Sequence, residues 1–243
     1  MIKLSIIIPA YNEESRIKST LDKYYDYLYK KLKNEFEIII VPNNCKDKTC
    51  DVVRTFSKSK HNIKYFNIPN YVGKGGAILK GFEIAKGKIV GFVDADCSTS
   101  PKAFYELYEN INNYDSIIAS RWIKGAKVIP KQPINRRIVS RTYNIIVNIL
   151  FNLKLKDTQC GAKMFKSEPL MKSIKNITTK QWAFDTDLLY QLHKNKYTIK
   201  EYPTEWSEYG GSTLNIRKAS IEMFFDIIKL RLINSPLKFL YKK

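Results

Sequence analysis

The sequence contains no run of about eighteen apolar residues, the length a helix needs to cross a hydrocarbon core, so membrane contact is expected to be peripheral. Its two histidines, His61 and His193, stand far apart without zinc-site partner spacing, and no histidine is a promising catalytic group. Four cysteines, Cys45, Cys50, Cys97 and Cys160, form no C-x-x-C pair, and reduced thiols are the natural expectation. Met1-Ile-Lys-Leu-Ser5 leads directly into a strand without the design of a signal peptide, so a cytosolic setting is expected. The spacings of G-x-G-x-x-G and of the Walker A loop are missing, which removes support for a dinucleotide fold and a P-loop NTPase. Internal repeats, low-complexity tracts and Gly/Ser linkers are missing as well.

Acidic residues are scarce: 23 Asp plus Glu face 42 Lys plus Arg, a net charge of +19. Such an excess favours anionic partners: nucleic acid, lipid headgroups or phosphorylated substrates. The 243 residues, 44% of them hydrophobic, are enough for one large α/β domain with a substantial core, and one domain over 1–243 is expected.

The acids that are present include Asp94-Ala-Asp96, at the end of the apolar run Ile89 to Val93. Two carboxylates one residue apart at a strand's carboxyl end project to one face and can hold a divalent cation against a diphosphate. The plain alternative is a loop before Pro101 in which Asp96 or Ser98 caps the next helix.

Short apolar runs alternate with amphipathic stretches. Strands are expected at Leu4 to Ile8, Glu37 to Val41, Ile63 to Asn67, Ile89 to Val93 and Ser116 to Ala119. Helices are expected at Glu14 to Leu32, Lys48 to Ser57, Gly76 to Ala85 and Pro101 to Ile111. That alternation predicts an α/β fold with a mainly parallel, Rossmann-like sheet flanked by helices, whose carboxyl edge binds ligands. Gly73-Lys-Gly-Gly76 opens one helix, where backbone N–H groups and Lys74 can meet phosphate or where glycine simply eases the helix entry.

Beyond residue 120 the pattern changes. Over Gln132 to Leu153 a helical period gathers Ile138, Ile145, Ile146, Ile149, Leu150 and Leu153 on one side. Arg137, Ser140, Arg141, Asn144, Asn148 and Asn152 fall on the other. Ile216 to Ile233 sets Met223, Phe224, Phe225, Ile227, Ile228 and Leu230 beside Arg217, Lys218, Lys229 and Arg231, and the tail Pro236 to Lys243 again mixes aromatic and basic residues. Either stretch can pack on the domain or lie in a membrane interface.

Taken in order, Ser5-Ile-Ile-Ile-Pro-Ala-Tyr-Asn-Glu-Glu14, Glu37-Ile-Ile-Ile-Val41 with Lys46-Asp-Lys-Thr49, Gly73-Lys-Gly75, Asp94-Ala-Asp96, Ala119-Ser-Arg121 and Asp157-Thr-Gln-Cys-Gly161 resemble family 2 glycosyltransferases of GT-A fold. Within that family the chain looks most like the dolichyl- and polyprenyl-phosphate branch, over roughly residues 3 to 215, and Asp-Thr-Gln-Cys-Gly points to its glucosyltransferase side. The resemblance implies a donor half over about 1–120 and an acceptor and membrane-interface half over about 121–243. It assigns Pro9, Ala10, Tyr11, Glu13, Asn43, Lys74, Asp94, Ala95 and Asp96 to the nucleotide-sugar, with Asp94 and Asp96 on Mg²⁺ or Mn²⁺. Arg121, Gln159, Asp185 and Asp187 match positions near the sugar and the acceptor phosphate, which Arg137 and Arg141 are also expected to bind. Asp96, Arg121, Asp185 and Asp187 are the catalytic candidates, and the helix over Gln132 to Leu153 matches the family's interface helix.

Two departures matter. Val41-Pro-Asn-Asn-Cys45 replaces the usual paired acids after the second strand, leaving Asn43 as the hydrogen-bonding group. Ser98 stands where mannose synthases often carry glutamine. The reading is an inverting, metal-dependent transfer of a hexose, glucose favoured, from a UDP-sugar to dolichyl or polyprenyl phosphate at the cytoplasmic membrane face, with no nucleic acid involved. GDP-mannose as donor, a glycan hydroxyl as acceptor with Asp185 or Asp187 as base, and a non-enzymatic binder of nucleic acid or anionic surfaces are the rival readings.

Overall fold

The computed structural model describes residues 1–130, 133–207 and 216–236, with backbone alone for 216–221. The expected tail beyond residue 236 and the expected helix start at Gln132 lie outside the described residues, as do the side chains of Arg217 and Lys218.

Nearly continuous apolar strands need cover on both faces, and the structure supplies it. Strands β1 (Leu4–Ala10), β2 (Phe36–Pro42), β3 (Ile63–Tyr65) and β4 (Ile89–Phe92) run parallel and alternate with helices α1 (Ile17–Leu32), α2 (Thr49–Ser59) and α3 (Gly73–Ile84). After α4 (Pro101–Asn110) come β5 (Ser116–Ser120), β6 (Lys127–Ile129), α5 (Ile134–Phe151), β7 (Lys163–Lys166), α6 (Ser167–Ile174), α7 (Phe184–Lys194), β8 (Ile199–Pro203), β9 (Glu205–Ser207) and α8 (Ile216–Ile233). The main sheet has the order β3-β2-β1-β4-β7-β5-β8, and β6 pairs with β9 in a small second sheet.

Alternate strand residues feed two cores. Ile6, Ile8, Ile38 and Ile40 pack with Leu21, Tyr24 and Leu28 of α1 and Phe104 and Leu107 of α4, while Ile7, Ile39, Val41 and Phe92 face Ile78, Phe82 and Leu188. A third cluster joins Ile118 to Tyr143, Val147 and Phe151 of α5, Leu189 of α7, and Ile227 and Leu230 of α8.

The sheet is mixed, because β7 runs antiparallel between β4 and β5. Its four residues, Lys-Met-Phe-Lys, carry a lysine at each end and no alternation long enough to read as a strand. Helix α3 begins at Gly73, three residues before the expected start. There Gly73 has φ +76, and a Cβ on Gly75 would lie 2.4 Å from Phe184 Cγ. These glycines let the first turn of α3 press on the segment before α7. Helix α4 is capped by Ser100, whose side chain accepts from the N–H of Ala103 at 3.1 Å. Neither Asp96 nor Ser98 does that work.

The sheet also encloses charge at its β2 strand. Glu37 of β2 accepts from Ser5 Oγ and from the N–H of Lys86, both at 2.6 Å, and pairs with Lys64 at 2.5 Å. Burial pushes its carboxyl up, but Lys64, Ser5 and the Lys86 N–H together hold it below its ordinary value. Replacing Glu37 by Ala would strand the Ser5 hydroxyl and the Lys86 amide, so a loss of about 2–4 kcal/mol is expected in urea unfolding at unchanged m-value.

Candidate active site

The carboxyl ends of β1, β2, β4 and β5 meet in one place, where the loops after these strands lock one another. The Glu13 amide donates to Thr49 Oγ1 at 2.7 Å, the Lys46 amide to Asn12 Oδ1 at 2.7 Å, and the Lys48 amide to Glu14 Oε2 at 2.7 Å. The loop after β1, with Pro9 and Ala10 in the strand end and Tyr11 beyond it, is thereby fixed to the loop after β2. Asn43 is buried, and its Oδ1 accepts from the N–H of Val72 at 2.9 Å, tying β2 to the entry of α3. The side chain that replaces a carboxylate here builds the loop as much as it faces a ligand. Tyr11 and Tyr71, both exposed, stand edge to face with ring centroids 6.0 Å apart beside this loop.

Asp94, Ala95 and Asp96 follow β4 in a turn rather than within the strand, and Cys97 closes it with φ 58. Asp96 Oδ1 accepts from the Ser98 amide at 2.9 Å, and Ala95 O accepts from Thr20 Oγ1 at 2.8 Å, so the turn is rigid. Asp94 pairs with Lys74 at 2.6 Å, and both side chains keep about a third of their surface exposed (38% and 36%). Gly161 lies directly against this carboxylate: a Cβ there would fall 1.8 Å from Asp94 Oδ2, so Asp-Thr-Gln-Cys-Gly ends in glycine for want of room.

Cations surround these acids. Burial pushes the Lys74 ammonium down, but Asp94, Asp185 and Asp96 together raise it above its ordinary value. Arg16, which sequence reasoning missed, is held by Glu13, chiefly through their hydrogen bonds, and it also senses both Asp96 and Asp94. Nothing in the local sequence distinguishes Arg16 from other basic residues at a helix start. Two half-exposed carboxylates within reach of these cations form a hard oxygen donor set that fits Mg²⁺ or Mn²⁺ shared with a diphosphate. Among the described residues no group of three or more His, Cys, Asp or Glu side chains gathers to hold a metal ion without such help.

On the β5 side, Arg121 is committed to Asp157 of the Asp-Thr-Gln-Cys-Gly segment. Its Nε and Nη2 donate to the two oxygens at 2.8 and 2.9 Å, and its backbone N–H donates to Oδ2 at 2.9 Å. The pair is buried and Arg121 lies over Trp206, its Cζ 5.6 Å from the ring centroid. Arg137 and Arg141 stack on Trp122 instead, at 5.7 and 5.2 Å, with Arg141 Nη1 also donating to Lys156 O at 3.1 Å. Gln159 leans toward α8 through Met223, 3.9 Å from its sulfur. The two catalytic candidates on α7 part company. Asp185 pairs with buried Lys163 at 2.5 Å and acts electrostatically on Lys74. Asp187 is fully buried and accepts from the Thr178 and Thr179 amides, Thr178 Oγ1 and Gln191 Nε2. That carboxylate, with no exposed surface, holds a loop in place. Cys160 is inert, since burial pushes its thiol up to about 11.

Helix α5 turns polar as well as apolar side chains inward. Its asparagines face inward: Asn144 Nδ2 donates to Leu155 O at 2.8 Å, and its Oδ1 accepts from Thr158 N–H at 3.1 Å and Oγ1 at 2.9 Å. Asn148 pairs with both backbone groups of Leu155. Tyr143, Val147 and Phe151 fill the rest of the inward face with Ile146 and Leu150 half-buried against them, while Ile138, Ile145 and Ile149 are exposed by 60%, 53% and 76%, and Phe225 of α8 by 66%. No helix among the described residues is long and apolar enough to cross a membrane.

Comparison with known proteins gives a concordant picture. Residues 5–173 match the family model for glycosyl transferase family 2. The chain is 33% identical over 242 residues to a dolichyl-phosphate beta-glucosyltransferase of Dictyostelium discoideum, covering 95% of this chain and 74% of that one. It is 29% identical to the Homo sapiens protein of the same name, covering 95% and 75%. In fold it is similar to glucosyl-3-phosphoglycerate synthase from Mycobacterium tuberculosis crystallised with Mn²⁺ and UDP-glucose, at TM-score 0.70, 15% identity and 95% and 79% coverage. A mannosyltransferase from Pyrobaculum calidifontis with GDP-Man and Mn²⁺ gives TM-score 0.65 at 16% identity, covering 93% and 64%.

The Arg121–Asp157 pair makes a pH-dependent stability prediction. Burial pushes the Asp157 carboxyl up, but Arg121 and its hydrogen bonds hold it below the ordinary 3.8. A depressed folded value means that the stabilisation is complete above about pH 5 and is lost as pH falls below about 4. Asp157→Asn should therefore cost about 3–5 kcal/mol at pH 7, with the gap from wild type narrowing below pH 4 in denaturant titrations.

Proposed function

The chain belongs to glycosyl transferase family 2 and has the GT-A fold, and we propose that it transfers glucose from UDP-glucose to dolichyl or polyprenyl phosphate at the cytoplasmic face of a membrane. The observation that carries the lipid acceptor is the row of exposed isoleucines on helix α5. The helix whose Asn144 and Asn148 hold Leu155 to Thr158 presents Ile138, Ile145 and Ile149 to the outside, so the surface that would meet lipid is rigidly joined to the site. Several large apolar side chains exposed on one helix favour a nonpolar phase, and the net charge of +19 adds attraction to an anionic leaflet.

Donor binding falls to the locked loops: Tyr11 with Tyr71 beside the base, Glu13 and Asn43 at the nucleoside, and Lys74 with Arg16 around the diphosphate. Asp94 and Asp96 would hold a divalent cation, which when bound neutralises charge on the departing diphosphate. The acceptor phosphate, ionised near neutral pH with its second pKa about 6, attacks the anomeric carbon opposite the diphosphate. As the new C–O bond forms, the bond to the diphosphate breaks and UDP leaves, so the anomeric configuration inverts. No general base is required, which suits a site whose Asp187 is buried and holds a loop. Arg137 and Arg141, stacked on Trp122 at the leading end of α5, are placed to hold the acceptor phosphate, whereas Arg121 keeps the Asp157 segment in position.

Two outcomes are expected. Radiolabelled UDP-glucose, dolichyl phosphate and Mn²⁺ should yield labelled lipid, and Asp96→Ala should lower the rate at least about 10²-fold. Equal label from wild type and variant, or label only from GDP-mannose, contradicts the reading. In flotation with anionic vesicles, Ile145→Asp with Ile149→Asp should abolish co-flotation while leaving UDP binding within about twofold, since the loops around Tyr11 lie apart from α5. Undiminished flotation removes the interface role of α5.

A further inference from the structure

Lys163 is a charged side chain fully enclosed in the protein, with no exposed surface. Its ammonium donates to Asp185 Oδ1 at 2.5 Å and to Cys160 O at 2.7 Å, and it lies 5.4 Å from the Phe92 ring centroid. Lys74 lies 5.9 Å from the same centroid and bonds Asp94 at 2.6 Å. Phe92 is thus flanked by two ion pairs, one belonging to the donor-side turn after β4 and one to the first turn of α7.

The bond to Cys160 O closes the turn that puts Gly161 against Asp94, and the bond to Asp185 fixes the first turn of α7, whose Phe184 presses on Gly75 of α3. One side chain therefore ties three segments that approach the two faces of the reaction centre. For stability alone a well-packed apolar residue would serve as well, because a buried ion pair gains little over hydrophobic packing of the same volume. A fixed point charge adds what an apolar residue does not, a defined place for the Asp185 carboxylate. Among the described residues Asp185 has no hydrogen-bond partner other than Lys163.

Resting on the transfer reaction proposed above, we infer that Lys163 is a positioning residue, holding Asp185 and the Cys160-Gly161 turn at a fixed separation from Asp94 so that acceptor and donor meet in line. Without it Asp185 is free to turn toward Lys74, the other ammonium that it already senses.

The test compares wild type, Lys163→Met, Asp185→Asn and the double variant, measuring glucose transfer to dolichyl phosphate, UDP affinity by calorimetry and thermal unfolding. Lys163→Met is expected to lower kcat about 10²-fold, the penalty of a misplacement on the order of 1 Å, with UDP affinity within about threefold. The double variant has no unpaired buried charge, so it should regain stability while kcat stays low. Wild-type kcat in Lys163→Met, or kcat restored together with stability in the double variant, overturns the inference and leaves Lys163 a core residue. Loss of folding in both does the same. Failure of the wild type itself to glucosylate the lipid is a separate result that overturns the proposed function instead.

Discussion

Like charges crowded at one sheet edge are the constraint on which this structure turns. Asp94, Asp96, Asp157 and Asp185 come from two loops and a helix start, and together they would repel one another apart without counter-charges. Lys74, Arg16, Arg121 and Lys163 supply them, each from a different element. The neutralisation is uneven, and that is its use. Asp157 is fully committed in a buried bidentate pair, Asp185 is fixed by one ammonium, and Asp94 and Asp96 stay partly exposed.

The same logic explains α5. A helix with asparagines on one side and isoleucines on the other is ordinarily read as polar face out. Here Leu155 to Thr158 lack a strand partner for their backbone groups, and Asn144 and Asn148 provide it from the helix. Buried backbone needs partners more urgently than isoleucine needs cover, since each unpaired group costs about 1–3 kcal/mol. The helix therefore buries Asn144 beside Tyr143, Val147 and Phe151 and leaves Ile138, Ile145 and Ile149 outward, joined through Arg141 and Asn144 to the segment that carries Asp157.

Much of this was legible in the sequence. The first five strands and four helices follow from apolar runs and helical periodicity, and Asp94-Ala-Asp96 with Lys74 stood out because strand ends and glycine-rich helix entries concentrate at one edge. What was not legible depends on long-range contact. The short β7 reads as a loop, and nothing local says that Lys163 lies inside while Lys166 does not. The periodicity of α5 groups Ile138, Ile145 and Ile149, which are exposed, with Ile146, Leu150 and Leu153, which pack on the core, and groups buried Asn144 with exposed Arg137, because the division depends in part on the hydrogen-bonding needs of residues 155–158. Asp185 and Asp187 share one helix turn and one local pattern, yet the fold gives them different tasks through Lys163 and Thr178.

Crystals grown with UDP-glucose and Mn²⁺, with anomalous diffraction recorded at the manganese edge, test the central claim most directly. The account predicts a manganese peak within about 2.0–2.3 Å of carboxylate oxygens from the Asp94-Ala-Asp96 turn and of the diphosphate, with the Lys74 ammonium moved from Asp94 to a phosphate oxygen. A well-ordered UDP-glucose with manganese elsewhere, and Lys74 still on Asp94, would contradict it.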